Sequence, residues 1–182
     1  GREDVDPQEL KLPFVITPPV SRIDPKKGQS VRITYMGKPL PQDRESLFWF
    51  NVLEIPPKSK AKDGESLNLL QLAFRTRIKF FFRPEGLKGS PLDAADNVTW
   101  TQKTEGNNVQ LIAHNASPYN VAISAVKLKT TQKSFEVEHK SILPFSDIAM
   151  TIKGLSSTTS GNVLFETIND SGGVDKHEAI VK

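Results

Sequence analysis

The stretch NLLQLAFRTRIKFFFRP, residues 68–84, decides the fold. Its even positions run Leu70, Leu72, Phe74, Thr76, Ile78, Phe80 and Phe82, while Gln71, Ala73, Arg75, Arg77 and Lys79 fall between them. A period of two, with one apolar face and one largely basic face, predicts a β-strand. At about 3.3 Å per residue the strand would span roughly 50 Å, more than twice the usual length in a globular protein. A domain of ordinary size does not cover such a ribbon, so Leu70, Leu72 and Phe74 are expected on an edge that overruns the fold. A flat apolar edge is an aggregation hazard unless pairing is its purpose. A partner lacking a strand would accept it through backbone hydrogen bonds, with alternate side chains filling successive pockets.

The chain has 182 residues, enough for one domain or two small ones. Hydrophobic residues at 37% and charged residues at 25% suit a packed core rather than wholesale disorder. A net charge of +3 is too small an excess to imply nucleic-acid binding by itself. Cysteine is absent, which removes disulfides, thiolate metal sites and thiol nucleophiles. No apolar run approaches the roughly 20 residues of a membrane-spanning helix, so membrane insertion is not expected. The opening GREDVDPQEL lacks the apolar centre of a secretion signal, and no signal peptide is expected within this chain.

Proline-rich punctuation (TPPV, IDPKKG, GKPLPQD, IPPKSKAKDG, RPEGLKGSP, ASPY, ILPFSD) separates short segments rich in Val, Ile, Phe and Thr. Many short strands between turn signals predict an all-β protein built of antiparallel sandwiches, and no segment shows convincing helical periodicity with caps. Residues 84–91, PEGLKGSP, read as a linker. Residues 92–182 suffice for one immunoglobulin-like β-sandwich, whereas residues 1–83 offer about four strands and make a sandwich that is incomplete at its N-terminus.

Chemistry is sparse. His114, His139 and His177 fall in none of the short spacings that place two ligands on one metal, and they read as surface or turn residues. No nucleophile elbow or phosphate loop is present, so no catalytic residue, metal or cofactor is assigned. Arg75, Arg77 and Lys79 alternate with apolar residues, a pattern that also suits single-stranded nucleic acid. Phe74, Phe80 and Phe82 share the apolar face, however, and are expected to pack rather than to stack on bases. A basic β-sandwich binding single strands, or a surface adhesion module, remains the alternative.

Several ordered motifs carry a resemblance: FVITPPVSRIDP (14–25), LPQDRESLFWFNVLEIPP (40–57), NLLQLAFRTRIKFFFRP (68–84), HNASPYNVAI (114–123), ILPFSD (142–147) and INDSGG (168–173). Together they resemble the periplasmic pilus chaperones of the chaperone/usher pathway, whose donor-strand complementation of pilins is a known form of strand addition. The resemblance implies two immunoglobulin-like domains set at an angle. It implies that Leu70, Leu72, Phe74 and Ile78 are lent to a pilin subunit, and that Lys79 anchors the pilin's C-terminal carboxylate. Glu45, Arg83 and Asp170 match the family's interdomain ionic triad. Pilins and an outer-membrane usher are the implied partners, the bacterial periplasm the implied location, and the moderate loop before Leu67 resembles the short-loop subclass. Family members carry first strands, with an arginine that joins the lysine on the carboxylate; Arg2 lies in the wrong context to replace it. Weak pilin binding or self-association through open strand edges is therefore expected of this chain.

Overall fold

In the computed structural model, residues 11–56 and 72–181 are described. Leu70 and the loop before Leu67, with the subclass reading that rests on it, lie outside them. Contacts divide the chain into two units, residues 1–40 and 41–182. In the first, β1 (Phe14–Thr17) and β2 (Arg32–Tyr35) pair antiparallel, and the rings of Phe14 and Tyr35 close the pair at 5.6 Å between centroids.

The second unit begins with the antiparallel pair β3 (Ser46–Leu53) and β4 (Arg75–Phe82). β4 is eight residues long, half the ribbon that the alternation predicts. The cause lies in its partner. β3 is followed by Ile55, Pro56 and Pro57, and proline has no N–H with which to continue a ladder. Among the described residues the last pairing step is the Glu54 amide on the Phe74 carbonyl, 2.8 Å, and residues 72–74 carry no regular strand. On the apolar face Phe48 meets Phe80 across the pair, 6.5 Å between centroids. Phe74 is 61% exposed.

A short helix, α1 (Pro91–Asp96), follows; the sequence reading overlooked it. Its signals are local rather than periodic. Ser90 caps it by accepting from the Asp93 amide, and Pro91 opens the first turn, where a missing N–H costs nothing. Seven strands then form a sandwich. β5 (Thr99–Glu105), β6 (Asn108–Asn115) and β9 (Ser146–Thr151) make one sheet in the order β5-β6-β9. β7 (Ile123–Lys129), β8 (Ser134–Glu136), β10 (Asn162–Ile168) and β11 (Val174–Ile180) make the other, in the order β11-β10-β7-β8. Neither β5 nor β11 stands out in the sequence, because each is a polar sheet-edge strand. A two-residue turn joins β5 to β6, and Gly106 takes the left-handed conformation there, φ +59°.

Inward positions alternate along β6 (Val109, Leu111, Ala113, Asn115) and β10 (Val163, Phe165, Thr167), while a register shift at Glu166/Thr167 breaks the alternation in β7, where Ile123 and Val126 are buried. Trp100 of β5 is fully buried and reaches across to Phe165 of β10, 5.1 Å between centroids. Each fully buried side chain of this size contributes about 1.5–3 kcal/mol. Among the described residues, the whole buried apolar cluster lies between Ala94 and Phe165. None of the described residues before position 84 belongs to it.

His177 departs from the surface reading. Its side chain is only 4% exposed and stacks on Phe165 at 4.8 Å. Nδ1 lies 2.7 Å from the Asp96 carboxylate and Nε2 2.8 Å from the Thr167 hydroxyl. One ring thus clamps α1 to β10 and β11. Replacing His177 by Phe keeps the stacking surface and removes both hydrogen bonds, so a loss of about 1–3 kcal/mol is expected from the shift in urea midpoint. An unchanged midpoint would show that the clamp contributes nothing.

Candidate functional site

The site is built where the start of β3 and the end of β4 meet the sandwich. Asn115, at the end of β6, is 1% exposed and organises the turn after it. Its side-chain amide donates to the carbonyls of Tyr119 (2.7 Å) and Leu143 (3.0 Å), and its oxygen accepts from the Ser117 amide (3.0 Å). The turn so fixed receives Glu45. The Glu45 amide donates to the Pro118 carbonyl at 2.9 Å, and its carboxylate accepts from the Asn120 amide (2.8 Å) and side chain (3.1 Å).

Glu45 is a carboxylate with a 2% exposed side chain, which costs several kcal/mol unless it is paired and hydrogen-bonded. Arg83, just past β4, supplies the counter-charge: its Nε lies 2.6 Å from Glu45, and its two terminal nitrogens grip Asp170 at 2.7 and 3.0 Å. The structure brings together the three residues of the expected triad. The Asp170 hydrogen bonds foremost, then those of Glu45, raise the Arg83 pKa, so the guanidinium stays charged at every accessible pH. Its face also lies 5.4 Å from the Tyr119 ring.

Beside this clamp a cavity of about 760 Å³ opens, lined by Trp49, Arg77, Lys79, Asn120, Ile168 and Asp175 among others. The Lys79 ammonium projects from β4 and donates to the hydroxyl of Ser141. Among the described residues no carboxylate pairs with it, and burial pushes its pKa below the usual 10.5. The Lys79 charge therefore costs the folded state stability at neutral pH, and the cost fades as pH rises from its depressed pKa towards 10.5. A bound anion would relieve the same cost. Among the described residues none of the cavity's carboxylates pairs with Lys79: Glu45 and Asp170 are held by Arg83, and Asp175 accepts from Asn169 at 3.1 Å.

Of the expected donor residues, the three that are described are open to solvent, and Ile78 also lines the cavity. Leu72 is 57%, Phe74 61% and Ile78 51% exposed. Sequence reasoning missed Asn115, Asn120, Ser141 and Trp49. The first two sit in the HNASPYN motif and could have been found from it, because an Asn with a Ser-Pro pair two and three residues on favours a turn. Ser141 and Trp49 carried no such local sign. Among the described residues no group of His, Asp and Glu is placed to hold a metal, and no helix is long and apolar enough to cross a membrane.

Comparison with known proteins places this geometry. Residues 1–88 match the family described as pili and flagellar-assembly chaperone, PapD N-terminal domain, and residues 93–179 match the pili assembly chaperone PapD, C-terminal domain. The probable fimbrial chaperone YadV of Escherichia coli K12 is 45% identical over 175 residues, 95% of this chain and 71% of that protein. Its crystal structure superposes with a TM-score of 0.81, over 93% of this chain and 79% of that one. The chaperone protein FimB/FhaD of Bordetella pertussis is 38% identical over 185 residues, 100% of this chain and 72% of that protein. The SafB chaperone, solved in complex with the SafA pilin of Salmonella enterica, is 28% identical with a TM-score of 0.75, over 92% of this chain and 74% of that one. With both domain types in order along an all-β chain, and relatives of this similarity over nearly its whole length, the chain belongs to the PapD family of pili assembly chaperones.

Proposed function

We propose that this chain binds pilin subunits by lending them a strand, caps them and delivers them to an outer-membrane usher in the bacterial periplasm. The observation that carries the reading is Lys79: a half-buried ammonium in a large cavity, with no carboxylate paired to it among the described residues. A pilin's C-terminal carboxylate supplies the missing charge through a charge-assisted hydrogen bond. With that end fixed, the pilin strand runs along β4 towards Phe74 and Leu72, and the anchor decides which pocket each side chain meets. Leu70, Leu72, Phe74 and Ile78 are the residues lent, and the exposure of the last three supports this. That SafB is known in complex with a pilin supports the partner class.

The remaining parts are supporting structure. The Glu45–Arg83–Asp170 clamp holds the β3–β4 pair against the C-terminal domain, with residues 84–91 as the linker beside it. The chemistry is recognition, and delivery proceeds by exchange for a better-fitting strand.

Leu72→Asp places a charge where an apolar pocket must accept a side chain, and stable pilin complexes are expected to be lost. Lys79→Met removes the anchor, with affinity falling about tenfold to 150-fold. Both are read by co-purification with a pilin expressed alongside and by titration; wild-type recovery of pilin with both variants would overturn the reading. For the clamp, Arg83→Met strands the Glu45 carboxylate and is expected to cost about 2–3 kcal/mol, below the usual range for a broken buried pair because Asn120 still donates twice. Asp170→Asn, at the exposed end, should cost less than about 1 kcal/mol. Denaturant midpoints of equal size for the two would contradict this division.

A further inference from the structure

The segment between β8 and β9 is pinned on both sides of residues 139–141. Val137 bridges Ile152, and the fully buried Ile142 exchanges both backbone hydrogen bonds with Val121, at 2.9 and 3.0 Å. His139 and Lys140 are exposed, whereas Ser141 is half-buried and its hydroxyl accepts from the Lys79 ammonium across 62 positions of chain. The Trp49 ring lies 5.9 Å from the same ammonium, but the Arg77 guanidinium sits closer to it, 4.0 Å from the centroid. Among the described residues Ser141 is thus the hydrogen-bond partner of Lys79, and it carries no charge.

We infer that Ser141 is a positioning residue of the pilin-binding site: a neutral acceptor that holds the Lys79 ammonium at the cavity without neutralising it. The inference rests on the reading of Lys79 given above. A lysine side chain is a flexible four-carbon stem, and an ammonium left free would have to be ordered when a carboxylate arrives. One hydrogen bond to a residue whose backbone neighbour is already fixed orders it beforehand, so binding no longer has to. An ammonium has three donors, and one on Ser141 leaves two for the pilin. The neutrality of the holder matters as much as its place. A carboxylate at position 141 would accept the same hydrogen bond but satisfy the charge, and the cavity would lose its attraction for an acid.

The test uses the full chain and a synthetic peptide of alternating valine and threonine, made once with a free C-terminal acid and once as the amide, with binding followed by fluorescence anisotropy. The wild type should prefer the acid. Ser141→Ala should weaken acid binding about three- to tenfold and leave amide binding unchanged, and Ser141→Thr, which keeps the hydroxyl, should bind as the wild type does. Ser141→Asp should abolish the preference for the acid. In the Lys79→Met background, Ser141→Ala should have no further effect. If Ser141→Ala weakens acid and amide binding alike, or still weakens acid binding in the Lys79→Met background, the serine acts on the fold rather than through Lys79 and its positioning role is overturned. If Lys79→Met loses the acid preference while Ser141→Ala keeps it in full, this inference fails while the Lys79 reading stands. If the wild type binds acid and amide equally, the Lys79 reading fails and this one with it.

Discussion

A carboxylate buried to 2% exposure sets the terms for everything around it. Glu45 cannot sit where it does without donors, and they come from two separated parts of the chain, Asn120 after β6 and Arg83 after β4; Arg83 in turn donates to Asp170 after β10. Burial makes the arrangement intolerant. Remove one donor and a desolvated charge is left behind, so the start of β3 and the end of β4 are held in one place relative to the sandwich. The cavity carrying Lys79 borders this clamp, and its geometry is inherited from it.

Stability and binding are divided along the chain. The sandwich from Ala94 onward owns the buried apolar cluster, whereas the β3–β4 pair is half-buried at one end and open at the other. Phe82 and Phe80 are half-buried, whereas Ile78 in β4 and Phe74 and Leu72 before it are exposed. The clamped end is therefore the fixed reference, and the open end is the surface on offer.

Much of this was legible in the residues. Alternation located β4 and named its apolar face, and proline punctuation separated most of the strands. What alternation could not reveal was where pairing stops, because strand length depends on the partner: the prolines after Ile55 end β3, and β4 ends with it. Edge strands β5 and β11 were invisible because half their residues face water. The triad and Lys79 were readable only through family resemblance, since no local pattern predicts that positions 45, 83 and 170 converge. Ser141 and the Trp49–Arg77 stack were not readable at all: they arise from the register of β3 on β4 and from the path of the loop before Ile142.

The irregular backbone of residues 72–74 bears on letting go as much as on holding. Drawing three residues into a ladder costs about 3–6 kcal/mol of conformational entropy, charged against whatever their side chains gain in the pocket. In the proposed binding mode the grip is thereby self-limiting, strong at Lys79 and weaker towards Leu72. A competitor that arrives already ordered escapes that entropic toll, so displacement begins at the loose end and travels towards the anchor, like a zip opened from its far tab.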